Sequence, residues 1–303
     1  MKSPLHATLP RFAVSTGDLD LLSYQDSQRY VADVENAGFG MLWLSEVLGR
    51  EAFTSAQLAL AASANMVIGS GVVRSFERVP KSAAAAQATL VGGFPGRYVM
   101  GLGVNASVRE RGQTPVGFMS DYLDQIDEYD SRRGVRREDA PRVLGAYSPA
   151  LTRLAAARTD GLITFLVTPE HTAWARQAIG PDSFLAVAQW VIVESDPDSA
   201  RELARRQLAY YLKLPHQINK LRRLGFSDDD LAAPGSDRLI DAVVSHGTPD
   251  DIAASLDRHR LAGADQIVLG VLGAPTAAKA GQYRLLARTL GVASESVKQG
   301  SKA

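Results

Sequence analysis

The 303-residue chain is 46% hydrophobic and 22% charged, proportions typical of a water-soluble globular protein. Its 33 Lys and Arg residues balance its 33 Asp and Glu residues, so there is no net charge to attract nucleic acid or an anionic membrane. The absence of cysteine excludes disulfides, thiolate catalysis and cysteine-ligated zinc. No apolar stretch reaches the roughly 18 residues of a membrane span, and the N-terminus lacks a signal-peptide core, so a cytoplasmic protein is predicted.

Apolar runs and helix-boundary residues predict strands and helices in alternation along the chain. We predict strands at residues 11–17, 40–46, 65–73, 97–105, 142–147, 161–167, 184–193 and 265–272. We predict helices at residues 23–37, 52–64, 80–90, 149–159, 169–179, 248–263 and about 276–290. Pro80 suits a first helical position, and Thr248 with Asp251 forms a variant capping box.

Eight continuously apolar strands alternating with helices predict a parallel sheet that is buried on both faces. This order indicates a (β/α)8 TIM barrel, and we predict a single domain over residues 1–303 with a polar tail at about 291–303. Two segments exceed ordinary loop length, at residues 106–121 after the fourth strand and at 196–247, a helical insertion after the seventh. Both are predicted to wall or cover a pocket, and the helical one could instead be a dimer contact or surface decoration.

The fourth predicted strand contains Gly101 and Gly103 at alternate positions. A glycine within a strand marks a bulge or the close approach of another group. The two glycines therefore either leave room for a flat ligand or only make space for packing within the barrel. Their spacing favours neither interpretation.

Residues at the C-terminal ends of the strands are the candidates for function in a barrel. No cluster of His, Asp and Glu with metal-ligand spacing, no Ser-His-Asp arrangement and no strand lysine suited to a Schiff base is evident among them. His259 falls within a helical segment and is interpreted as a surface or packing residue. A site poor in acids and nucleophiles but rich in glycine, serine and aromatic residues suits a cofactor that brings its own chemistry.

Several segments together resemble the bacterial-luciferase-like oxidoreductases, which include flavin-dependent monooxygenases and enzymes that use the deazaflavin coenzyme F420. The segments are VENAGFGMLWLSE, NMVIGSGVV, VPKSAAAAQATLVGGFPGRYVMGLGV, RVLGAYSPALTRLAAARTDGLI and GTPDDIAASLDRHRLAGADQIVL, in family order and spacing over residues 12–272. Residues 46–53, 210–231 and 235–247 are more similar to the F420 branch than to the luciferases proper.

The resemblance implies a flat cofactor ring in the barrel mouth, over a bulge with a non-prolyl cis peptide at the end of the third strand. The residues it implies for cofactor binding are Ser70, Gly71 and Val72 in the bulge, Gly101, Gly103 and Asn105 beside the ring, and Tyr147, Ser148 and Thr168 towards the phosphate. Each has a structural alternative, since Thr168 could be only a helix cap, Tyr147 only packing and Ser70 only a strand-end hydroxyl.

The chain departs from some F420 enzymes of this family at their acid/base groups. It has no histidine near the end of the second strand and no acid at the end of the fourth. Glu46 is the best available catalytic acid or base, with pairing to Arg50 or Arg74 as its competing structural role. Glu110 is a weaker candidate.

The resulting prediction is an oxidoreductase that transfers hydride between coenzyme F420 and a small organic substrate, as a homodimer with a possible F420 or flavin reductase partner. The first alternative is an FMN-dependent monooxygenase that needs reduced flavin and O2. The second is a non-catalytic degenerate barrel, which predicts a pocket filled at Ser70, Gly103 and Tyr147. A phosphate-binding barrel without redox function is a third, supported only weakly by the segment GVLGAP.

Overall fold

The computed structural model describes residues 2–47 and 49–292, except for the side chains of Ala106 and Ala277. Its strands are β1 (Phe12–Thr16), β2 (Met41–Leu44), β3 (Val67–Arg74), β4 (Tyr98–Gly103), β5 (Arg142–Gly145), β6 (Gly161–Phe165), β7 (Phe184–Val193), β8 (Val244–Gly247) and β9 (Gln266–Val271). Most of the predicted polar tail, residues 293–303, lies outside the described residues.

Helices follow the strands throughout the described residues. They are α1 (Leu5–Thr8), α2 (Tyr24–Asn36), α3 (Ala52–Ala62), α4 (Pro80–Gly93), α5 (Pro115–Arg133), α6 (Pro149–Arg158), α7 (Pro169–Ile179), α8 (Pro197–Tyr211), α9 (Pro215–Arg223), α10 (Asp228–Leu231), α11 (Asp237–Val243), α12 (Pro249–Leu261) and α13 (Thr276–Thr289). None of these helices is both long and apolar enough to cross a membrane.

Eight parallel strands close into a barrel. Strands β1 to β6 pair in order, β6 pairs with β7, β7 pairs with β9, and β9 returns to β1. The predicted (β/α)8 barrel is therefore confirmed. The predicted single domain stays a prediction.

The helical insertion also contains a strand that the sequence pattern did not predict. The last residues of β7, from Trp190 to Val193, extend beyond its pairing with β6, and β8 pairs with them in parallel. Helices α8 to α11 precede β8 along the chain. The sequence pattern predicted the helices of this insertion but missed the strand, because a four-residue strand has too few positions for a period-2 pattern to emerge. Likewise, α5 begins at Pro115, within the segment predicted as a long loop, with Thr114 as its cap.

Short-range signals placed several helix ends correctly. Ser23 accepts a hydrogen bond from the Asp26 backbone at the start of α2. Thr248 and Asp251 form the predicted reciprocal capping box at the start of α12. Gly263, two residues beyond the end of that helix, has a φ of 104°, a conformation that glycine adopts without strain.

The barrel interior is filled at its centre by Trp43. This side chain is 1% exposed, and its indole nitrogen donates to the side-chain oxygen of Gln266 at 2.9 Å. Gln266 in turn donates to the Pro10 carbonyl at 2.8 Å. A Cβ atom at Gly69 would lie 2.3 Å from the Trp43 ring, so only glycine fits beside it. The indole thus closes the barrel below its C-terminal mouth.

A buried polar chain joins the barrel to two of its helices through His259. The amide nitrogen of Gln189 lies 2.6 Å from both the Val167 carbonyl and His259 Nε2, and His259 Nδ1 lies 2.8 Å from the Thr172 hydroxyl. Because Gln189 donates to Nε2, we infer that Nδ1 carries the proton and that the imidazole is neutral. Burial lowers the pKa of His259 to about 4. His259 is a packing residue, as the sequence interpretation stated.

Replacing Gly69 with alanine should destabilise the barrel strongly. The added methyl group would meet a rigid, buried ring, and overpacking of this kind costs about 2 kcal/mol or more. Gly92 in α4 is the matched control, because a Cβ there would meet no atom within 4 Å. Gly92→Ala should be neutral or slightly stabilising. Urea unfolding midpoints of the two variants measure this difference, and equal midpoints would contradict the packing described for Trp43.

Stability should fall as the pH drops from 7.5 to 5. In the unfolded chain His259 is protonated near its ordinary pKa of 6.5, whereas in the folded protein its imidazole stays neutral down to about pH 4. The unfolded state therefore gains protons first, which costs roughly 2 kcal/mol of folding free energy at pH 5. Denaturant unfolding at both pH values measures this loss. His259→Gln should show a shallower pH dependence, and an unchanged slope would refute the assignment to His259.

Candidate functional site

The C-terminal end of β3 carries an irregularity that faces the barrel mouth. The pairing of β3 with β4 shifts register between Ser70 and Val73, and the peptide bond between Gly71 and Val72 is cis. The predicted position of the bulge and of its cis peptide is confirmed. Gly71 and Val72 are partly exposed, whereas Ser70 and Val73 are buried. We call residues 70–73 the β3 bulge.

The β3 bulge occupies the space beside the glycines of β4. A Cβ at Gly101 would lie 2.1 Å from the Ser70 carbonyl oxygen, and one at Gly103 would lie 2.2 Å from a Val72 methyl group. Gly145, at the end of β5, faces the other Val72 methyl in the same way, at 3.0 Å. Gly101 and Gly103 thus make room for the bulge, which is the packing alternative of the two. The outer side of the bulge is open to the mouth, and a ring lying beside Gly101 and Gly103 stays a prediction.

Ser70 and Glu46 both have their polar groups committed to other residues. The Ser70 hydroxyl is 2.7 Å from the buried Tyr98 hydroxyl, and the serine is only 1% exposed. Its side chain matches the alternative of a buried strand-end hydroxyl, and its role in cofactor binding stays a prediction. Glu46 accepts hydrogen bonds from the backbone nitrogens of Ala52 and Arg74 at 3.2 and 2.8 Å.

Arg78 completes the surroundings of Glu46. One guanidinium nitrogen donates to Glu46 at 2.8 Å, the other forms an ion pair with it, and the carboxylate is 8% exposed. Thus Glu46 joins the ends of β2 and β3 to the start of α3. These contacts correspond to the structural role of Glu46 that competed with catalysis. Its side-chain partner is Arg78, however, and not the predicted Arg50 or Arg74.

Three further predicted residues are helix or turn caps. Asn105 Oδ1 accepts from the Ser107 backbone at 2.9 Å, which leaves the amide nitrogen of Asn105 to donate elsewhere. Ser148 caps α6 with a long contact of 3.5 Å, and Thr168 caps α7 at 3.4 Å from the His171 nitrogen. Both helices begin at the mouth, and the first N–H groups of a helix favour the binding of an anion.

Helix α9 of the insertion brings a lysine to the ends of β5 and β6. The ammonium of Lys220 donates to the Phe165 carbonyl at 3.0 Å and lies 5.5 Å from the centre of the Tyr147 ring. Lys220 is 2% exposed and forms no ion pair within the part of the chain that the structure describes. We call Tyr147, Phe165, His171, Lys220 and Arg223 the Lys220 cluster.

The Lys220 cluster is electrostatically one-sided. Burial lowers the pKa of Lys220 to about 7. Burial, assisted by the charges of Lys220 and Arg223, lowers the pKa of His171 to about 4. His171 Nε2 is buried and has no hydrogen-bond partner among the described residues. The pKa of Tyr147 is raised by burial. The groups of this cluster are therefore neutral or cationic.

Sequence reasoning placed Tyr147 here but missed Phe165, His171, Lys220 and Arg223. One signal was available for Lys220: it shares a helical face with Gln217 and Leu221, which are also buried, where a solvated lysine is unexpected. No sequence pattern could show that this face meets the ends of β5 and β6.

Cavities of the described residues lie on both sides of the barrel. A narrow one of about 10 Å³ opens at the mouth between the ends of β1 and β2, where Thr16, Ser45 and Arg50 line it. A groove of about 440 Å³ lies at the opposite face between α1, the end of α4 and the segment 134–141 that follows α5. Barrel enzymes place their chemistry at the mouth, so the larger groove is not the candidate site. No group of three potential metal ligands occurs among the described residues.

The fit between Gly103 and Val72 can be tested by a double-mutant cycle. Gly103→Ala alone should lower stability by about 2 kcal/mol, because the new methyl overlaps Val72. In a Val72→Ala background most of that loss should disappear, since the nearest remaining atom of residue 72 is 3.3 Å away. Gly101→Ala is the control: its clash with the Ser70 carbonyl at 2.1 Å should persist in both backgrounds. Thermal unfolding of the six proteins measures this, and additive effects of Val72→Ala and Gly103→Ala would contradict it.

Comparison with known proteins identifies relatives over most of the chain. A 5,10-methylenetetrahydromethanopterin reductase of Archaeoglobus fulgidus is 25% identical over 301 aligned residues, covering 82% of this chain and 90% of the relative. The coenzyme F420-dependent tetrahydromethanopterin reductase of Methanopyrus kandleri has a similar structure, with a TM-score of 0.73, 17% identity, and coverage of 93% of this chain and 98% of that one.

A second similar structure binds a different cofactor. The oxygenating constituent of 3,6-diketocamphane monooxygenase from Pseudomonas putida, a type II Baeyer–Villiger monooxygenase in complex with FMN, has a TM-score of 0.66 and 13% identity. The match covers 91% of this chain and 95% of that one. The two structural matches show the shared fold. The family model described as luciferase-like monooxygenase matches residues 6–129 and 124–266. This chain therefore belongs to the luciferase-like monooxygenase family.

Proposed function

We propose that this protein is a coenzyme F420-dependent oxidoreductase that transfers hydride between the deazaflavin and a small organic substrate. The observation that carries the proposal is the β3 bulge, whose Gly71 and Val72 present backbone at the barrel mouth between β2 and the capped starts of α6 and α7. The similar fold of the coenzyme F420-dependent reductase of Methanopyrus kandleri supports the choice of cofactor.

The residues at the mouth fit a flat, phosphate-bearing cofactor. Gly71 and Val72 would contact one face of the ring, and the free amide of Asn105 would donate to its edge. The first turns of α6 and α7, capped by Ser148 and Thr168, would face its phosphate. His171 Nε2, a buried nitrogen without a partner among the described residues, is a group that a bound ligand would satisfy.

Hydride donation or acceptance is the chemistry that the deazaflavin supplies when bound. The chain's own residues would bind and orient the cofactor and the substrate, and they would exclude water. Trp43 closes the barrel beneath Gly71, at 3.4 Å from a Cβ placed there, and so seals the site from below. Glu46, held by Arg78 and two backbone nitrogens, is retained as a structural residue, and no proton transfer is assigned to it.

An FMN-dependent monooxygenase that uses reduced flavin and O2 is the second candidate. The FMN-bound structure from Pseudomonas putida, with its similar fold, favours it. One observation supports the degenerate barrel, namely that the Val72 side chain fills the space beside Gly103. The bulge that carries this side chain is itself open to the mouth, which argues against a filled pocket. We also propose a cytoplasmic homodimer, with a separate reductase as partner if FMN is the cofactor.

Binding of cofactors to the purified protein tests the proposed function. Coenzyme F420, FMN and NADPH are titrated separately. Quenching of cofactor fluorescence reports the affinity for F420 and FMN, and quenching of the protein's tryptophan fluorescence reports the affinity for NADPH. We expect micromolar or tighter binding of F420, weaker binding of FMN and none of NADPH. A preference for FMN would support the monooxygenase. No binding of either ring cofactor at micromolar concentrations would refute both redox functions.

A further inference from the structure

We propose that the Lys220 cluster is an anion site in which the insertion itself, through Lys220, supplies the cation that binds a phosphate group at the barrel mouth. The inference deepens the proposed function and rests on it for the source of the phosphate, which is either the cofactor or an anionic substrate. The geometry and charge of the cluster each support it independently.

The first argument is the burial of an ammonium group without a counter-ion. Lys220 is 2% exposed, and its contact with the Phe165 carbonyl at 3.0 Å satisfies one of its three N–H donors. Buried lysines in proteins are paired, because an isolated ammonium loses its hydration without compensation. The lysines and arginines of the barrel's other buried clusters follow this rule: Lys279 pairs with Asp18, and Arg142 with Asp127 and Asp130. Lys220 differs, so a bound anion would complete its surroundings.

The second argument is the convergence of donors from separate elements. His171 lies in the first turn of α7, Tyr147 directly precedes the cap of α6, and Arg223 lies in the last turn of α9. His171 Nε2 is buried and unsatisfied within the described part of the chain. A phosphate has several acceptor oxygens, so one phosphate would accept from both the Lys220 ammonium and His171 Nε2, which lie on different helices. Arg223 is exposed and adds positive charge near His171.

The third argument is the sign of every neighbouring group. The titratable residues that influence one another here are Tyr147, His171, His216, Lys220 and Arg223. Burial and the charge of Lys220 lower the pKa of His216, and burial lowers the pKa of Lys220 to about 7. An anion would favour the ammonium form and raise the pKa of Lys220. Binding should therefore be accompanied by proton uptake at neutral and higher pH.

Matched ligands test the inference by binding rather than by activity. FMN is compared with riboflavin, and coenzyme F420 with its phosphate-free deazaflavin, so that each pair isolates the phosphate. In the wild-type protein the phosphate-bearing member should bind more tightly. Lys220→Met should remove roughly 10- to 100-fold of that advantage and leave the phosphate-free member unchanged. Lys213→Met, at an exposed lysine of the same insertion, is the control and should change neither.

Two further readouts separate binding from a purely structural role. Lys220→Met should raise the melting temperature of the ligand-free protein, because it removes a buried charge without a counter-ion. The phosphate advantage of the wild type should fall, by up to about tenfold per pH unit, between pH 7.5 and 9 as the ammonium deprotonates. Lys220→Arg should make that profile flat, since the guanidinium stays charged.

The remaining arm identifies the source of the anion. In one outcome, Lys220→Met leaves the tighter binding of the phosphate-bearing cofactors unchanged but abolishes binding of inorganic phosphate to the cofactor-loaded protein. The site then exists and binds the anion of the substrate. If cofactors fail to bind but inorganic phosphate binds the wild type and not Lys220→Met, the anion site stands and the proposed function fails. If no phosphate-dependent affinity responds to Lys220→Met, or the variant melts at a lower temperature with unchanged affinities, the inference is overturned.

Discussion

A steric interlock between the β3 bulge and the strands on either side determines the geometry of the mouth. Below the bulge, the Trp43 ring leaves space only for glycine at position 69. Beside it, Gly101 admits the Ser70 carbonyl, and Gly103 and Gly145 admit the two methyl groups of Val72. Interiors are close-packed and tolerate little extra volume, so these contacts hold the exposed backbone of Gly71 and Val72 in one place. A rigid backbone surface at the mouth is the consequence.

The polar groups around this interlock divide into those that hold the fold and those that remain free to bind. The Glu46 carboxylate, the Ser70 hydroxyl and the Gln189 amide nitrogen form hydrogen bonds with Arg78, Tyr98 and His259, respectively. By contrast, His171 Nε2 lacks a partner among the described residues, and Lys220 lacks a counter-ion there. Buried polar groups are normally satisfied, and other buried side-chain atoms without a partner among the described residues are scattered around the barrel, for example at Ser75 and Thr164. At His171 and Lys220 the unsatisfied nitrogen lies beside a buried cation, and a ligand that supplies acceptor oxygens would satisfy both.

The insertion after β7 has a larger role than that of a cover. Its strand β8 extends the edge of β7, and its helix α9 inserts Lys220 against the ends of β5 and β6. Stability and binding are opposed at this position, because burial of the ammonium disfavours its charged form in the free protein and an anion reverses that preference. The barrel strands supply the backbone surface of the bulge, and the insertion supplies the ammonium group of Lys220.

The alternation of apolar strands and capped helices determined the barrel, because burial on both faces and helix capping are local in sequence. The resemblance to a known family placed the bulge and its cis peptide at Gly71 and Val72. Tertiary structure alone decided which groups face the mouth. From the sequence, Gly101 and Gly103 could equally make room for a ligand or for barrel packing. In the structure, Ser70 and Val72 occupy the space beside these glycines. Lys220 and Tyr147 are 73 positions apart in the printed sequence, and only chain folding, which brings distant side chains into contact, could show that they meet.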